Sequence, residues 1–379
     1  MASHEIRINP ACPLASQPGT GHNRWHPDIP PAIRVEPGDD VMLQTRDAVD
    51  GQIGPESVAT DVLGVDISVV HPLTGPVFVA GAEPGDLLEV EILDVSTGSF
   101  GYTMQSPGFG FLRDDFPEPF LARWQIERGF AVSPDVPGVR IPGHPFMGTM
   151  GVAPSPDLLA RITARERGLA AAGGMVDLPE PRGAVPSVPA VMGGGLRTIA
   201  PRENAGNVDI KQLTAGTRLL IPVWVPGALF SAGDAHFAQG DGEACGQAIE
   251  VRGMLRARFG LRKGAAAAHK IDQPQFERMA SSPAPGPYFA TTGTCLHQDG
   301  RNAAEDLSLA ARNALRYMIE HLATRYGFTR QQAYVICSVA VDLKASQVVD
   351  LPNVLVSAFL PLGIFGATAS GAASCRVTG

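Results

Sequence analysis

The chain has 379 residues, enough for two or three domains and for a core that needs no disulfide or metal staple. Gly (43) and Pro (33) fill about a fifth of it, hydrophobic residues 44% and charged residues 18%, which excludes intrinsic disorder and disfavours an all-helical fold. The formal net charge is −8 with no Lys/Arg cluster, so nothing marks a nucleic-acid partner.

The opening MASHEIRINP is charged by Glu5 and has no apolar core, so no secretory leader is expected. Residues 33–46 read as two short strands around a Pro37-Gly38 turn. Residues 76–95 repeat that grammar around Glu83-Pro84-Gly85-Asp86, with Leu88, Val90 and Ile92 alternating against Glu89 and Glu91. A region of about 98–200 is rich in Gly and Pro and reads as an irregular insertion. Within it a strand is expected at Trp124–Val132 and a helix at Asp157–Ala172, stopped by Gly173-Gly174. Residues 217–225 and 246–259 read as strands.

The last third changes character. Leu307, Ala311, Leu315, Met318 and Leu322 are spaced for an amphipathic helix over 303–326, with Asp299 or Asn302 as its cap and Gly327 as its stop. Thr329 and Gln332 form a capping box that opens a second helix to about Val339. The fold class expected is α+β and predominantly β. A sandwich-like or barrel-like body spans 1–260, and a smaller α+β part with two helices spans 261–379.

The stretch from Leu351 to Cys375 carries no charge and is long enough to cross a bilayer. Pro352, Pro361 and Asn353 break it, so it reads as core or subunit interface, and no membrane span is expected. Five cysteines without a C-x-x-C pair point to a reducing, cytoplasmic compartment.

The strongest chemical constellation is SAGDAHFAQGDGEAC, residues 231–245. Asp234 and His236 leave the same face of an extended backbone, and Glu243 follows the turn at Gly240-Asp241-Gly242. Such a set can hold a divalent metal or act as a general acid/base group. A polar surface hairpin with a DG turn is the commoner explanation of the same residues on composition alone. Asp47 and Asp50, in RDAVDGQ, read first as an Asx-type turn. His71 before Pro72 and His144 before Pro145 read first as satisfied structural histidines. Asn207 and Asp209 would share a strand face. Cys245, two residues after Glu243, has acidic neighbours that would raise its pKa, so a buried structural thiol is expected rather than a nucleophile.

Seven segments in order, HNRWHPDIPPAIRVEPGDDV, RDAVDGQ, VHPLTGPVFVAGAEPGD, HPFMGTMGVAP, NAGNVD, GDAHFAQGDGE and SQVVDLPN, resemble the acetamidase/formamidase family. The resemblance runs from about His22 to Phe365, with Ala205 where the family often has the first of two glycines. It implies hydrolysis of a small carboxamide to carboxylate and ammonia, a β-rich fold and a homo-oligomer. It also implies a divalent metal, with zinc the expected ion. On that reading His236, Asp234, His71 and Asp47 are the expected metal ligands and Glu243 the base. Asn207, Asp209 and His144 are the expected substrate-binding residues. A lactam-opening relative, a metal-free amidase using Cys245, and a non-catalytic binding module are the alternatives.

Overall fold

Two identical turns set the course of the chain. In each, the Asp carboxylate accepts the Glu backbone N–H (Asp39 from Glu36 at 3.2 Å, Asp86 from Glu83 at 2.8 Å), and the Gly takes φ +95. Glycine meets that left-handed backbone without a Cβ penalty. Neither turn closes a hairpin. Ile33–Val35 runs parallel to Leu73–Val79, whereas Asp40–Thr45 pairs with Glu250–Arg262. The second turn likewise carries the chain from Leu73–Val79 to Leu87–Gln105, which pair with different neighbours. The computed structural model describes residues 2–278, 286–349 and 352–365.

The fold is predominantly β. Among the described residues, 15 strands join one sheet. Its spine is the long antiparallel pair Leu87–Gln105 and Glu250–Arg262, paired from Leu87 opposite Arg262 to Tyr102 opposite Glu250 with two register shifts on the way. The expected alternation holds along it. Leu88, Val90 and Ile92 are buried with Leu255, Ala257 and Phe259, while Glu89, Asp40 and Arg258 form ion pairs on the other face. Beyond the spine lie Phe230–His236, then Phe146–Gly151, then Ala205–Asn207.

The stretch 98–200 was expected to be irregular, yet it contributes Phe120–Glu127, Phe130–Val132, Ile141–Pro142 and Phe146–Gly151 to this sheet. Its Gly and Pro residues are turns between short strands. The single strand expected at 124–132 is a hairpin, with Arg128 and Gly129 both at positive φ (51 and 79), as a tight two-residue hairpin turn requires. The helix Pro156–Ala171 is capped by the Ser155 side chain, which accepts the Leu158 N–H.

Toward the C-terminus, Leu355–Pro361 is the centre of a three-stranded antiparallel sheet between Tyr288–Thr294 and Asp342–Gln347. This strand is the middle of the described part, 352–365, of the uncharged stretch that was read as core or interface. Leu351 and residues 366–375 lie outside the described residues. Helix Leu307–Tyr326 lies directly on the sheet. A Cβ at Gly293 would stand 2.2 Å from the Ala310 carbonyl oxygen, so only glycine allows that approach. The helix starts later than its periodicity suggested, because Asp306, not Asp299 or Asn302, accepts the Leu309 N–H. Helix Arg330–Ala340 opens on the expected Thr329–Gln332 box. Its residues from Ala333 to Val339 are all buried, and one hydrophobic core runs from the main sheet through both helices.

Candidate active site

Four neighbouring strands build the site. His236 ends Phe230–His236, with Phe146 opposite it on one side and Glu250 on the other. Tyr102 stands opposite Glu250 on the next strand. Directly opposed residues share a sheet face, so an imidazole, a carboxyl and a phenol form a row. The edge of the Phe146 ring packs on His236, with centroids 5.1 Å apart.

Asp234 joins this row through an unusual backbone. Its φ is +58 within a strand, and the residue across from it is Gly148. A Cβ at Gly148 would stand 2.8 Å from Asp234 Oδ2, 2.5 Å from Asp209 Oδ1 and 2.7 Å from His236 Cε1. Glycine therefore keeps open the space that these side chains enclose. The Gly148 carbonyl also accepts the N–H groups of Val208 and Asp209, which turns the 208–209 segment toward the same point.

The distances are short. His236 Nε2 lies 3.4 Å from Asp234 Oδ1 and 3.3 Å from Glu250 Oε2, and its Nδ1 lies 3.9 Å from Asp209 Oδ1. His71 Nε2 is 4.0 Å from Asp234 Oδ2. His236 and Glu250 are each 1% exposed and Asp234 3%. The surface-hairpin reading of 231–245 therefore fails, since every residue of Phe230–His236 is buried.

Burial and mutual charge set the protonation of the group. Burial pushes the Glu243 and Glu250 carboxyls up to about 8, with the nearby Asp234 charge adding to it and His236 opposing. Burial and the nearby Glu243 charge raise Asp209. For Asp234 the histidines outweigh burial and hold its carboxyl well below the usual range. Burial alone would depress His236, but Glu250 and Asp234 reverse the sign and raise it well above its ordinary value. Burial lowers His71.

Four carboxyls and two imidazoles thus share one site, and the raised proton affinity of Glu243, Glu250 and Asp209 marks a place where bound positive charge is favoured. Asp209 Oδ1, Asp234 Oδ1, His236 Nε2, Glu250 Oε2 and His71 Nδ1 are buried without a well-formed hydrogen bond. Asp209, Asp234 and His236 offer ligand atoms within 4.8 Å of one another, and so do His236, Glu243 and Glu250. Imidazole nitrogen with carboxylate oxygen is a donor set that fits a divalent cation.

The other expected site residues lie elsewhere or are otherwise engaged. Asp47 Oδ1 accepts from Val49 N, Gly51 N and the Tyr102 hydroxyl, and Oδ2 faces Arg252 at 3.5 Å. It serves the Asx-type turn that was its first reading. Asn207 Nδ2 donates to the Ile199 carbonyl, and its Oδ1 accepts from Thr149 Oγ1 at 2.6 Å. His144 is exposed, and its backbone N–H donates to Phe237 O. Cys245 is buried, and burial pushes its thiol up to about 12, which removes the thiolate a nucleophile needs.

Glu250 and Gln239 were not anticipated. Glu250 sits between Ile249 and Val251, all three buried, so no alternation separates it from a surface acid. Only its pairing with His236 reveals it. Gln239 lies three residues after His236 in the same motif and bridges His236 Nδ1 and Asp209 O.

The profile of the Acetamidase/Formamidase family matches residues 7–367. The chain belongs to this family. It is 40% identical to an acetamidase of Mycolicibacterium smegmatis, covering 85% of this chain and 86% of that one. It is 38% identical to a formamidase of Methylophilus methylotrophus, covering 92% and 90% respectively. Among solved structures, a gamma lactamase from Delftia acidovorans superposes with a TM-score of 0.91 at 37% identity, over 96% of this chain and 93% of that one. The family membership makes this chain an amidohydrolase. If the space beside Gly148 is where amide hydrolysis occurs, Gly148→Ala is expected to lower kcat/KM by ~10²-fold or more, because ångström-scale displacements cost that much. Unchanged kinetics in a folded variant would move the reaction away from this space.

Proposed function

We propose that this amidohydrolase cleaves a small aliphatic carboxamide of the formamide or acetamide type, using a divalent cation, zinc, held by His236 and Asp234 with Asp209 and Glu250. The observation that carries the reading is the set of buried, partnerless ligand atoms converging on His236. The names of the acetamidase and formamidase relatives support the substrate class. A lactam is the second reading, favoured by the gamma lactamase likeness.

An amide is a weak electrophile with a poor leaving group. When bound, the cation supplies Lewis acidity, polarising the carbonyl and lowering the pKa of water toward ~7. The rest falls to the chain. Glu243, raised by burial and beside Asp209, takes the proton of the attacking water and delivers it to the departing nitrogen. His71 Nε2 faces the far oxygen of Asp234 at 4.0 Å. Thr149, with Oγ1 3.3 Å from Asp234 Oδ2, is held by Asn207, which gives Asn207 a supporting place rather than a substrate contact. Asp47 and His144 have no part in this scheme.

On this reading residues 1–260 carry the chemistry and 261–379 brace it. A reducing, cytoplasmic setting belongs to the same proposal, supported by the free thiols Cys12, Cys245, Cys295 and Cys337. No described helix is long and apolar enough to cross a membrane. Self-association is also proposed, supported by exposed Tyr288, Phe289, Leu307 and Tyr317 on a strand and helix that pack together, and light scattering reads it directly.

The deciding experiment follows ammonia release from formamide, acetamide, propionamide and a γ-lactam before and after dialysis against a chelator. Activity is expected to vanish on chelation, return with zinc, and resist iodoacetamide. Indifference to the chelator would overturn the metal reading, and turnover of the lactam alone would favour the second substrate class.

A further inference from the structure

We propose that Gln239 is a positioning residue that dictates which nitrogen of His236 carries a proton, leaving Nε2 as the ligating atom. The inference rests on the metal reading above and extends it to a residue outside the ligand set. Gln239 is 6% exposed, and its amide bridges two parts of the site. Its Nε2 donates to the Asp209 backbone carbonyl at 2.8 Å, and its Oε1 lies 2.9 Å from His236 Nδ1.

The orientation of that amide is not free. A carbonyl oxygen can only accept, so the Asp209 carbonyl must face the NH2 end of Gln239. The oxygen end therefore faces His236 Nδ1, and an amide oxygen can only accept as well. Nδ1 must be the donor. Glu250 and Asp234 favour a second proton on the zinc-free ring, and once a cation displaces that proton the other nitrogen carries the lone pair. That nitrogen is Nε2, which faces Asp234 Oδ1 and Glu250 Oε2, two atoms as partnerless as itself. One buried amide thus reads the backbone at Asp209 and passes its polarity through the ring to the ligand side. The same bridge ties the 208–209 segment to the strand that ends at His236, so a single side chain couples ring orientation to the position of Asp209. Partners of this kind on metal-ligating histidines are worth ~10–100-fold in metal affinity.

Two variants separate this role from packing. Gln239→Leu keeps the bulk and removes both bonds. Gln239→Glu keeps an acceptor for Nδ1–H and loses the donor to Asp209. With histidine nitrogens labelled, long-range 1H–15N spectra report the state of each ring nitrogen in zinc-loaded and zinc-free protein, and chelator competition reports zinc affinity. The wild type is expected to show a protonated Nδ1 in both forms and a bare Nε2 in the zinc-loaded form. Gln239→Leu is expected to lose that fixed state and to bind zinc ~10–100-fold more weakly, whereas Gln239→Glu regains most of the affinity. An unprotonated Nδ1 in the wild type, unchanged zinc affinity in Gln239→Leu, or equal losses in both variants would each overturn the proposal. If Gln239→Leu does not fold, the wild-type spectrum and Gln239→Glu still decide. A wild type that binds no zinc but keeps Nδ1 protonated would sink the metal reading while sparing the Gln239–His236 hydrogen bond.

Discussion

His236→Ala is expected to abolish zinc-restorable hydrolysis, with kcat/KM for formamide falling by about three powers of ten. The estimate follows from two quantities. Lewis-acid stabilisation of the transition state is worth several kcal/mol, and each ~1.4 kcal/mol is tenfold in rate. His236 is the hub of the site, within 4 Å of Asp234, Glu250 and Asp209. Its removal withdraws the only nitrogen donor common to both groups of ligand atoms. Stability should move too. Breaking a buried charge pair by deleting one partner costs ~3–5 kcal/mol, because the carboxylates left behind have no counter-charge. Thermal melts of the zinc-free proteins should therefore show His236→Ala well below the wild type. The control is Asp47→Asn, whose parent carboxylate is engaged by its own turn and Tyr102. Zinc affinity in that variant is expected to match the wild type. A loss of zinc in Asp47→Asn with none in His236→Ala would invert the proposed ligand set.

These residues also show how far sequence reading reached. Asp234, His236 and Glu243 were visible because they lie within ten positions of one motif, and local spacing survives folding. Asp209 was visible through its neighbour Asn207, although its φ of +45 places it beyond the strand rather than on a shared face. His71 reaches Asp234 only because Leu73–Val79 pairs with Phe230–His236, a contact spanning some 160 positions that no spacing encodes. Asp47 failed for the opposite reason. Asp-x-x-Asp-Gly is turn chemistry, and the turn used the carboxylate before any site could.

The fold followed the same division. The Gly327 stop and the Thr329–Gln332 box of the C-terminal helices, the alternation along Leu87–Gln105 and the paired Glu-Pro-Gly-Asp turns were legible, since each is a local pattern, whereas the Asp306 cap was missed. Sheet neighbours were not. The Gly- and Pro-rich 98–200 stretch hid Ile141–Pro142 and Phe146–Gly151 and showed the hairpin of Phe120–Glu127 and Phe130–Val132 as one strand, as short strands between frequent turns carry little periodic signal. Glu250 was lost in the same way, a polar residue in an apolar strand whose meaning comes only from the residue across from it.

Glu243→Gln is expected to reduce kcat for formamide by ~10²–10⁴-fold, the range for loss of a general acid/base, while KM and zinc content stay near wild type. The substitution keeps shape and hydrogen-bonding capacity and removes only the ability to accept a proton. Two features make Glu243 suited to that task. Burial pushes its carboxyl up to about 8, so its affinity for a proton is matched to neutral chemistry rather than to that of an ordinary surface acid. Its backbone, at φ +43, is also held rather than free. Gly240 N–H donates to the Ser338 carbonyl at 2.8 Å, Cys245 N–H to Ser338 Oγ at 3.0 Å, and the Tyr334 hydroxyl to the Ala244 carbonyl. Helix Arg330–Ala340 thus clamps the loop on both sides of Glu243, which limits the entropy that a proton-transfer geometry would otherwise lose. Glu243→Asp retains a carboxyl but withdraws it by one methylene, so it should fall between the wild type and Glu243→Gln. Kinetics with zinc saturated would separate the readings. A low kcat with intact zinc content supports the base. Loss of zinc in Glu243→Gln would make Glu243 a ligand, and wild-type kcat would remove it from the chemistry.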